Sequence, residues 1–260
     1  MKKVAIIGCG NLGSSIIDGL IASNFCKAEE IIATRRNSDN IKRFKEIGVA
    51  VTKDNRLASA EAEVVILAVK PFQAAEVLQN IREQLDGKIL ISVVTGVLIK
   101  DIIEIVPASC SIFRAMPNTA IAIQQSMTCI SSNTSDLSKS DYVSSLFNVL
   151  GKVAMIDEKL MDAATVLGAC GIAYAMRYIR ANIQGGIEIG FDARTAGLIA
   201  AQTVKGASEL LLQKGLHPEQ EIDKVTTPKG CTIAGLNEME HQGFSSSLIK
   251  GICASYAKIA

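Results

Sequence analysis

Short apolar runs alternate with helically spaced segments over the first 155 or so residues. Residues 4–7 (Val-Ala-Ile-Ile) form a continuous β-rich run, and residues 11–23 follow with apolar positions at Leu12, Ile16, Ile17 and Leu20, one face of a helix. Residues 30–34 read as a second strand. A helix is predicted over 38–48, with Asn37 or Ser38 as N-cap and Gly48 as its stop. Residues 49–51 suit a short edge strand, and 63–69 form a third clear strand. Pro71 then opens a helix, at a position where its missing N–H costs nothing. A strand over 88–93 is followed by shorter ones over 110–114, 127–130 and 153–156. Continuously apolar strands separated by helices predict a parallel sheet covered on both faces. From 158 onward the pattern is helical only, over 158–190, 193–214, 218–225, 232–241 and 245–260. The run 163–176 carries no charge, is too short to span a bilayer, and reads as a buried helix.

Length fits two domains, read as 1–156 and 157–260 in a chain of 260 residues. A helical domain this small and apolar gains from a second copy, so a homodimer or larger homo-oligomer is expected. Net charge is +1, and this balance points to neither a nucleic-acid nor a membrane partner. The N-terminus runs straight into the first strand without the apolar region of a signal peptide. Seven cysteines, an odd number with no Cys-x-x-Cys pair, fit reduced filler residues of a cytoplasmic protein. The two histidines, His217 and His241, have no ligand-like neighbours, so no metal site is expected.

Gly8-Cys9-Gly10-Asn11-Leu12-Gly13 fits G-x-G-x-x-G between the first strand and the first helix. In that context the first glycine permits a tight turn, the second lets backbone approach a pyrophosphate, and the third lets helix pack on strand. The helix N-terminus then faces the anion. This makes the fold α/β, an N-terminal Rossmann dinucleotide-binding domain followed by an all-helical C-terminal domain. The second strand ends in Thr34-Arg35-Arg36, without the acidic residue that holds a ribose 2′-hydroxyl. A hydroxyl and two guanidiniums suit a 2′-phosphate, so NADP(H) is the expected cofactor, with NAD(H) left open.

Three further blocks follow in order. They are Ala68-Val69-Lys70-Pro71, Arg114-Ala115-Met116-Pro117-Asn118-Thr119, and residues 225–232, Val-Thr-Thr-Pro-Lys-Gly-Cys-Thr. Together with the glycine loop they resemble pyrroline-5-carboxylate reductase over essentially the whole chain, the last block being the most specific. The sequence departs from the family pattern at Ala120, where a proline is usual, and at 168–172, where Gly-Ala-Cys170-Gly-Ile replaces Ser-Gly-Ser-Gly-Pro. It departs again at Lys229, where Pro-Gly-Gly is usual. The resemblance implies a small-molecule imine substrate and cofactor contacts from the 8–13 loop, Thr34, Arg35 and Asn55. It places Ala68–Pro71 and Thr95-Gly96 beside the nicotinamide, and substrate contacts at Glu158, Gly230, Cys231 and Thr232. It also implies C-terminal helices that interlock between two subunits.

Reducing a cyclic imine needs little acid–base machinery: a nicotinamide supplies hydride, and the protein supplies position and electrostatics. Thr232 is the candidate catalytic residue, its hydroxyl holding the ring nitrogen, and the 230–232 turn offers N–H groups to a carboxylate. Thr232 could instead cap its own helix, Glu158 could be a first-turn dipole partner, and Lys70 could merely end its strand. Two other functions fit the build. One is a β-hydroxyacid dehydrogenase, disfavoured because no lysine lies between Met161 and Ala201. The other is a non-catalytic NAD(P)-binding paralogue.

Overall fold

The computed structural model describes residues 2–36 and 42–259. The strands are β1 (Val4–Ile7), β2 (Ile31–Thr34), β3 (Ala50–Thr52), β4 (Val64–Leu67), β5 (Ile89–Ser92), β6 (Ser111–Met116), β7 (Ser126–Ser132) and β8 (Gly151–Met155). They form one sheet in the order β3-β2-β1-β4-β5-β6-β7-β8. The order reverses at β1, which places the switch point of the sheet beside the glycine loop.

The helices around this sheet are α1 (Asn11–Ala22), α2 (Lys42–Glu46), α3 (Asn55–Glu61), α4 (Ala74–Ile81), α5 (Ile99–Ile103) and α6 (Leu137–Asn148). The strand side chains divide between two cores. Val4 and Ile6 pack with Ile16, Ile17 and Leu20 of α1 and with Leu146 and Phe147 of α6. Ala5 and Ile7 pack with Leu78 and Ile81 of α4 and Ile102 of α5. Burying each large apolar side chain contributes about 1.5–3 kcal/mol, and a strand covered on both faces has no polar side to alternate.

Two expectations about these elements need correction. The sheet is not wholly parallel: β6 and β7 pair antiparallel, while β7 and β8 pair parallel with each other. The 117–125 connection is shorter than the dozen or more residues that a parallel crossover requires, so the chain reverses there. Pro71 opens a 3-10 turn, Pro71–Gln73, and the α-helix proper begins at Ala74. Of the helix expected over 38–48 the described part is α2, and its proposed caps, Asn37 and Ser38, lie outside the described residues.

The C-terminal part is helical, as expected. A 3-10 turn at Glu158–Leu160 leads into α7 (Met161–Ala164), a π-helical stretch at Thr165–Cys170, and α8 (Gly171–Glu188). The helix expected over 158–190 is thus helical through Glu188 but widens into a π-helical stretch at 165–170. There Asn118 Nδ2 donates to the Gly168 carbonyl at 3.2 Å, drawing on the backbone acceptor of a glycine-weakened segment. Then come α9 (Ala193–Lys214), α10 (Pro218–Val225), α11 (Cys231–His241) and α12 (Phe244–Ile259). Residues 171–258 form one compact unit, while 158–170 pack with the sheet.

The buried helix expected over 163–176 is only partly buried. Thr165 and Val166 are covered, but Leu167 is 71% and Met176 64% exposed. Within the helical unit itself, Ala196 and Ala200 are the buried apolar residues among those described, with Ile189 79% and Leu198 72% exposed. None of the described helices is long and apolar enough to cross a membrane.

Candidate functional site

Register brings the cofactor candidates to one sheet edge. Ile7 pairs with Thr34 and with Leu67, and Leu67 pairs with Ser92. The residues that follow, Gly8, Arg35, Ala68 and Val93, therefore leave the sheet side by side at its carboxyl end. Gly8 turns the chain with φ +89°, and a Cβ there would lie 2.5 Å from Val69 Cγ1 and 3.0 Å from the Ala68 carbonyl oxygen. The tight turn and the close approach of the Ala68-Val69 segment both require glycine. Gly10 is the N-cap of α1 and supplies no side chain to the cap. The N–H groups of Asn11, Leu12 and Gly13 have no acceptor among the described residues, the first intrahelical bond running from Ser14 to Gly10 at 2.9 Å. Such an uncapped helix start, approached by bare backbone, fits a pyrophosphate.

Thr34 and Arg35 brace this loop. The Gly8 N–H donates to Thr34 Oγ1 at 3.2 Å, and the Cys9 N–H to the Thr34 carbonyl at 2.7 Å. Thr34 itself is buried, so its hydroxyl serves the loop from beneath. Arg35 Nη1 donates to the Cys9 carbonyl at 3.1 Å, folding the guanidinium over the loop, while Arg36 is exposed. Asn55 begins α3 and is half-buried, its helix capped by Asp54 through Arg56 N–H and Leu57 N–H at 2.8 and 3.2 Å. Burial pushes the Cys9 thiol up, which leaves it inert within the loop. Lys70 is exposed at the start of the Pro71 turn, and Thr95 and Gly96 lie in the connection after β5.

Glu158 is engaged within the protein. Its Oε1 accepts from Ile99 N–H at 2.7 Å and from Arg114 Nη1 at 2.9 Å. Motif reading passed over the role of Arg114, which is buried on β6. The signal was in the sequence, since Arg114 is the only charged residue in the strand Ser111–Met116.

Gly230, Cys231 and Thr232 lie in the helical unit. Gly230 is the N-cap of α11, again without a side-chain cap bond, and Thr232 is the second helical residue. The alternative in which Thr232 caps its own helix is therefore corrected: the cap position belongs to Gly230. Thr232 is exposed, and its hydroxyl has no hydrogen-bond partner among the described residues. A Cβ on Gly230 would meet Thr227 Oγ1 at 2.6 Å and the Thr227 carbonyl oxygen at 3.0 Å, so this turn needs a glycine. Lys229 stands just before it with φ 59°, in the left-handed region. His217 caps α10, its Nδ1 accepting from Glu219 N–H at 3.3 Å. That gives one of the two histidines a structural task.

Residues 158–260 match the family model for pyrroline-5-carboxylate reductase dimerisation, and residues 3–96 match that for NADP oxidoreductase, coenzyme F420-dependent. Pyrroline-5-carboxylate reductase 1 of Dictyostelium discoideum is 47% identical over 99% of this chain, which spans 49% of that protein. Pyrroline-5-carboxylate reductase 2 of the same organism is 42% identical, with 99% of this chain and 92% of that protein covered. Among solved structures, the pyrroline carboxylate reductase of Plasmodium falciparum with NADP bound superposes with a TM-score of 0.90. It is 28% identical, and the match covers 99% of this chain and 97% of that one. A pyrroline-5-carboxylate reductase of Coxiella burnetii gives the same TM-score of 0.90 at 29% identity, covering 99% and 97%. The chain thus spans about half the length of one curated relative and nearly the whole of the other, and on 42% identity across nearly the full length of the second it belongs to the pyrroline-5-carboxylate reductase family.

Proposed function

We propose that this protein reduces the C=N bond of 1-pyrroline-5-carboxylate to give L-proline, with NADPH as the preferred reductant. The observation that carries the reading is the start of α11, uncapped and bearing a free Thr232 hydroxyl within the family's most specific block. When bound, NADPH supplies the hydride. The protein's own groups hold and polarise the substrate. Thr232 Oγ1 holds the ring nitrogen, and the first N–H groups of α11 receive the carboxylate at the positive end of the helix. Hydride to the ring carbon and one proton on nitrogen complete the conversion of imine to amine. On the cofactor side, the N–H groups of Asn11, Leu12 and Gly13 receive the pyrophosphate, and Arg35 and Arg36 face the 2′-phosphate. Asn55, Ala68–Pro71 and Thr95-Gly96 line the remainder. Initial rates of NADPH oxidation with 1-pyrroline-5-carboxylate, run beside a panel of β-hydroxyacids with NADP⁺, test the assignment. The account expects turnover only with the imine; turnover with a hydroxyacid instead would replace it.

The protein works as a homodimer or larger assembly in this reading. The support is the exposed apolar surface of α8 to α12, including a groove of about 740 Å³ lined by Tyr178, Ile189, Phe191, Ile199, Met239 and Phe244. Apolar surface on that scale marks an interface, and a second copy presents the complementary one. Light scattering at micromolar concentration should give at least twice the chain mass; a monomer would contradict it. Cytoplasmic residence rests on all seven cysteines being free thiols.

A further inference from the structure

We propose that Arg114 and Glu158 are positioning residues for hydride transfer, their ion pair fixing the segment that carries Thr95 and Gly96. Arg114 sits on β6 beside Ser92 of β5 and Ser131 of β7, and is 1% exposed. A guanidinium buried so deeply requires a counter-charge. Glu158 supplies it through one oxygen, Oε1, at 2.9 Å, and it is the one ion-pair partner of Arg114 among the described residues. Nη2 of the same guanidinium is buried without a hydrogen-bond partner among the described residues. An arrangement this incomplete is a poor stabiliser, because apolar side chains of similar volume generally do as well as a buried ion pair. Its use is geometric.

That same oxygen accepts from the Ile99 N–H at 2.7 Å, at the first residue of α5. One carboxylate thus ties the chain that follows β5 to the interior of β6. The other end of the segment is held by the sheet, where the Val93 N–H donates to the Leu67 carbonyl at 3.0 Å. Gly96, with φ +75°, has no described atom within 4 Å of where a Cβ would sit, and it lies between Val94, buried in the core beneath β5, and Val97, packed against that core. At its α5 end two carboxylates hold the segment: Asp101 Oδ2 accepts from the Leu98 N–H at 3.2 Å, and Glu158 accepts from the Ile99 N–H, the one tie of the two that runs on to β6. Glu158 therefore acts through the loop, where a direct substrate contact had been expected. This inference rests on the reading that Thr95-Gly96 flanks the nicotinamide.

The test compares two ligands on the assembled protein. One is NADPH, and the other is 2′-phosphoadenosine-5′-diphosphoribose, which lacks the nicotinamide ring. Glu158→Asp keeps the charge but shortens its reach, so it should fold while releasing Ile99. It should weaken NADPH and lower kcat on the order of tenfold to a hundredfold, as expected for a reacting group displaced by about 1 Å. Binding of the ring-less analogue and KM for the imine should stay within about twofold of the parent. Glu158→Gln keeps an acceptor oxygen for the Ile99 N–H but leaves Arg114 without its counter-charge, so it should turn over faster than Glu158→Asp while melting earlier than the parent. Loss of both ligands together would make the pair merely structural, and a rise in KM for the imine with kcat unchanged would restore direct substrate contact. Either result overturns the proposal. Gly96→Val distorts the loop directly and separates the two readings. If it weakens NADPH selectively while Glu158→Asp does not, the positioning role is wrong and the nicotinamide placement stands. If neither variant discriminates between the ligands, the placement itself is wrong.

Discussion

Replacing Thr232 by alanine separates catalysis from folding, because the hydroxyl makes no hydrogen bond among the described residues. The residue lies second in α11, behind an N-cap, Gly230, that makes no side-chain cap bond. Removing Oγ1 therefore breaks no hydrogen bond among the described residues. Helix propensity even favours alanine over threonine, by up to about 0.7 kcal/mol in a helix interior and less in a first turn. A chain of this size gains about 2–4 °C per kcal/mol, so the melting temperature should stay level or rise by about 1 °C. Turnover should behave differently. If the hydroxyl holds the ring nitrogen, its bond strengthens as the planar imine becomes an amine, and interactions made more strongly in the transition state raise kcat. Losing one such donor costs on the order of tenfold to a thousandfold, or about 1.4–4 kcal/mol of barrier. The assay is the initial rate of NADPH oxidation at saturating imine, with calorimetry on the same samples and NADPH affinity measured separately. Thr232→Ala should lose rate with NADPH affinity within about twofold of the parent, and Thr232→Ser should recover most of the rate. An alanine variant that turns over normally would refute the assignment. So would a drop in stability of about 1 kcal/mol with normal turnover, the signature of a cap.

Changing Arg35 and Arg36 together to alanine should weaken NADPH much more than NADH, since each charge-assisted bond to a 2′-phosphate is worth about 1.5–3 kcal/mol. Some loss for both cofactors is expected because Arg35 also holds the Cys9 carbonyl at 3.1 Å; equal loss, measured by fluorescence titration, would remove the 2′-phosphate role. Lys229→Gly should stabilise the protein by about 0.5–1 kcal/mol, because the left-handed backbone costs a side chain more than the extra unfolded-state entropy of glycine costs. A urea midpoint that stays put or falls would show that Lys229 makes a compensating interaction.

The sheet and its glycine loop were legible because their physics is local. A continuously apolar strand, a turn only glycine can make and an uncapped helix start each lie within a dozen residues. The direction of β7 was not legible from periodicity, since a buried strand carries the same apolar run either way; the short connection before it held the clue. The helical run from 158 looked regular because apolar spacing does not record a π-helical stretch, where the Asn118 side chain takes the Gly168 carbonyl. Burial was over-read at 163–176 because apolar composition reports what must be covered and leaves open which chain covers it. At the candidate site, the motif blocks led to Thr232 and the turn before it. Lys229 was visible as a departure from the family pattern, but its left-handed backbone required coordinates. The Arg114–Glu158–Ile99 junction joins three positions distant in sequence, and only strand register brings them to hydrogen-bonding distance.

The central claim is that hydride passes from the cofactor to the C=N carbon of the imine. NADPH carrying deuterium at C4 of the nicotinamide tests it directly, with mass and NMR spectra read on the product. With deuterium on one C4 face, L-proline should form with a single deuterium on the ring carbon bonded to nitrogen but not to the carboxylate. Label on the opposite face should stay with NADP⁺. Oxidation of NADPH without deuterated proline, or no reaction by an assembled protein that binds NADPH, would contradict the account.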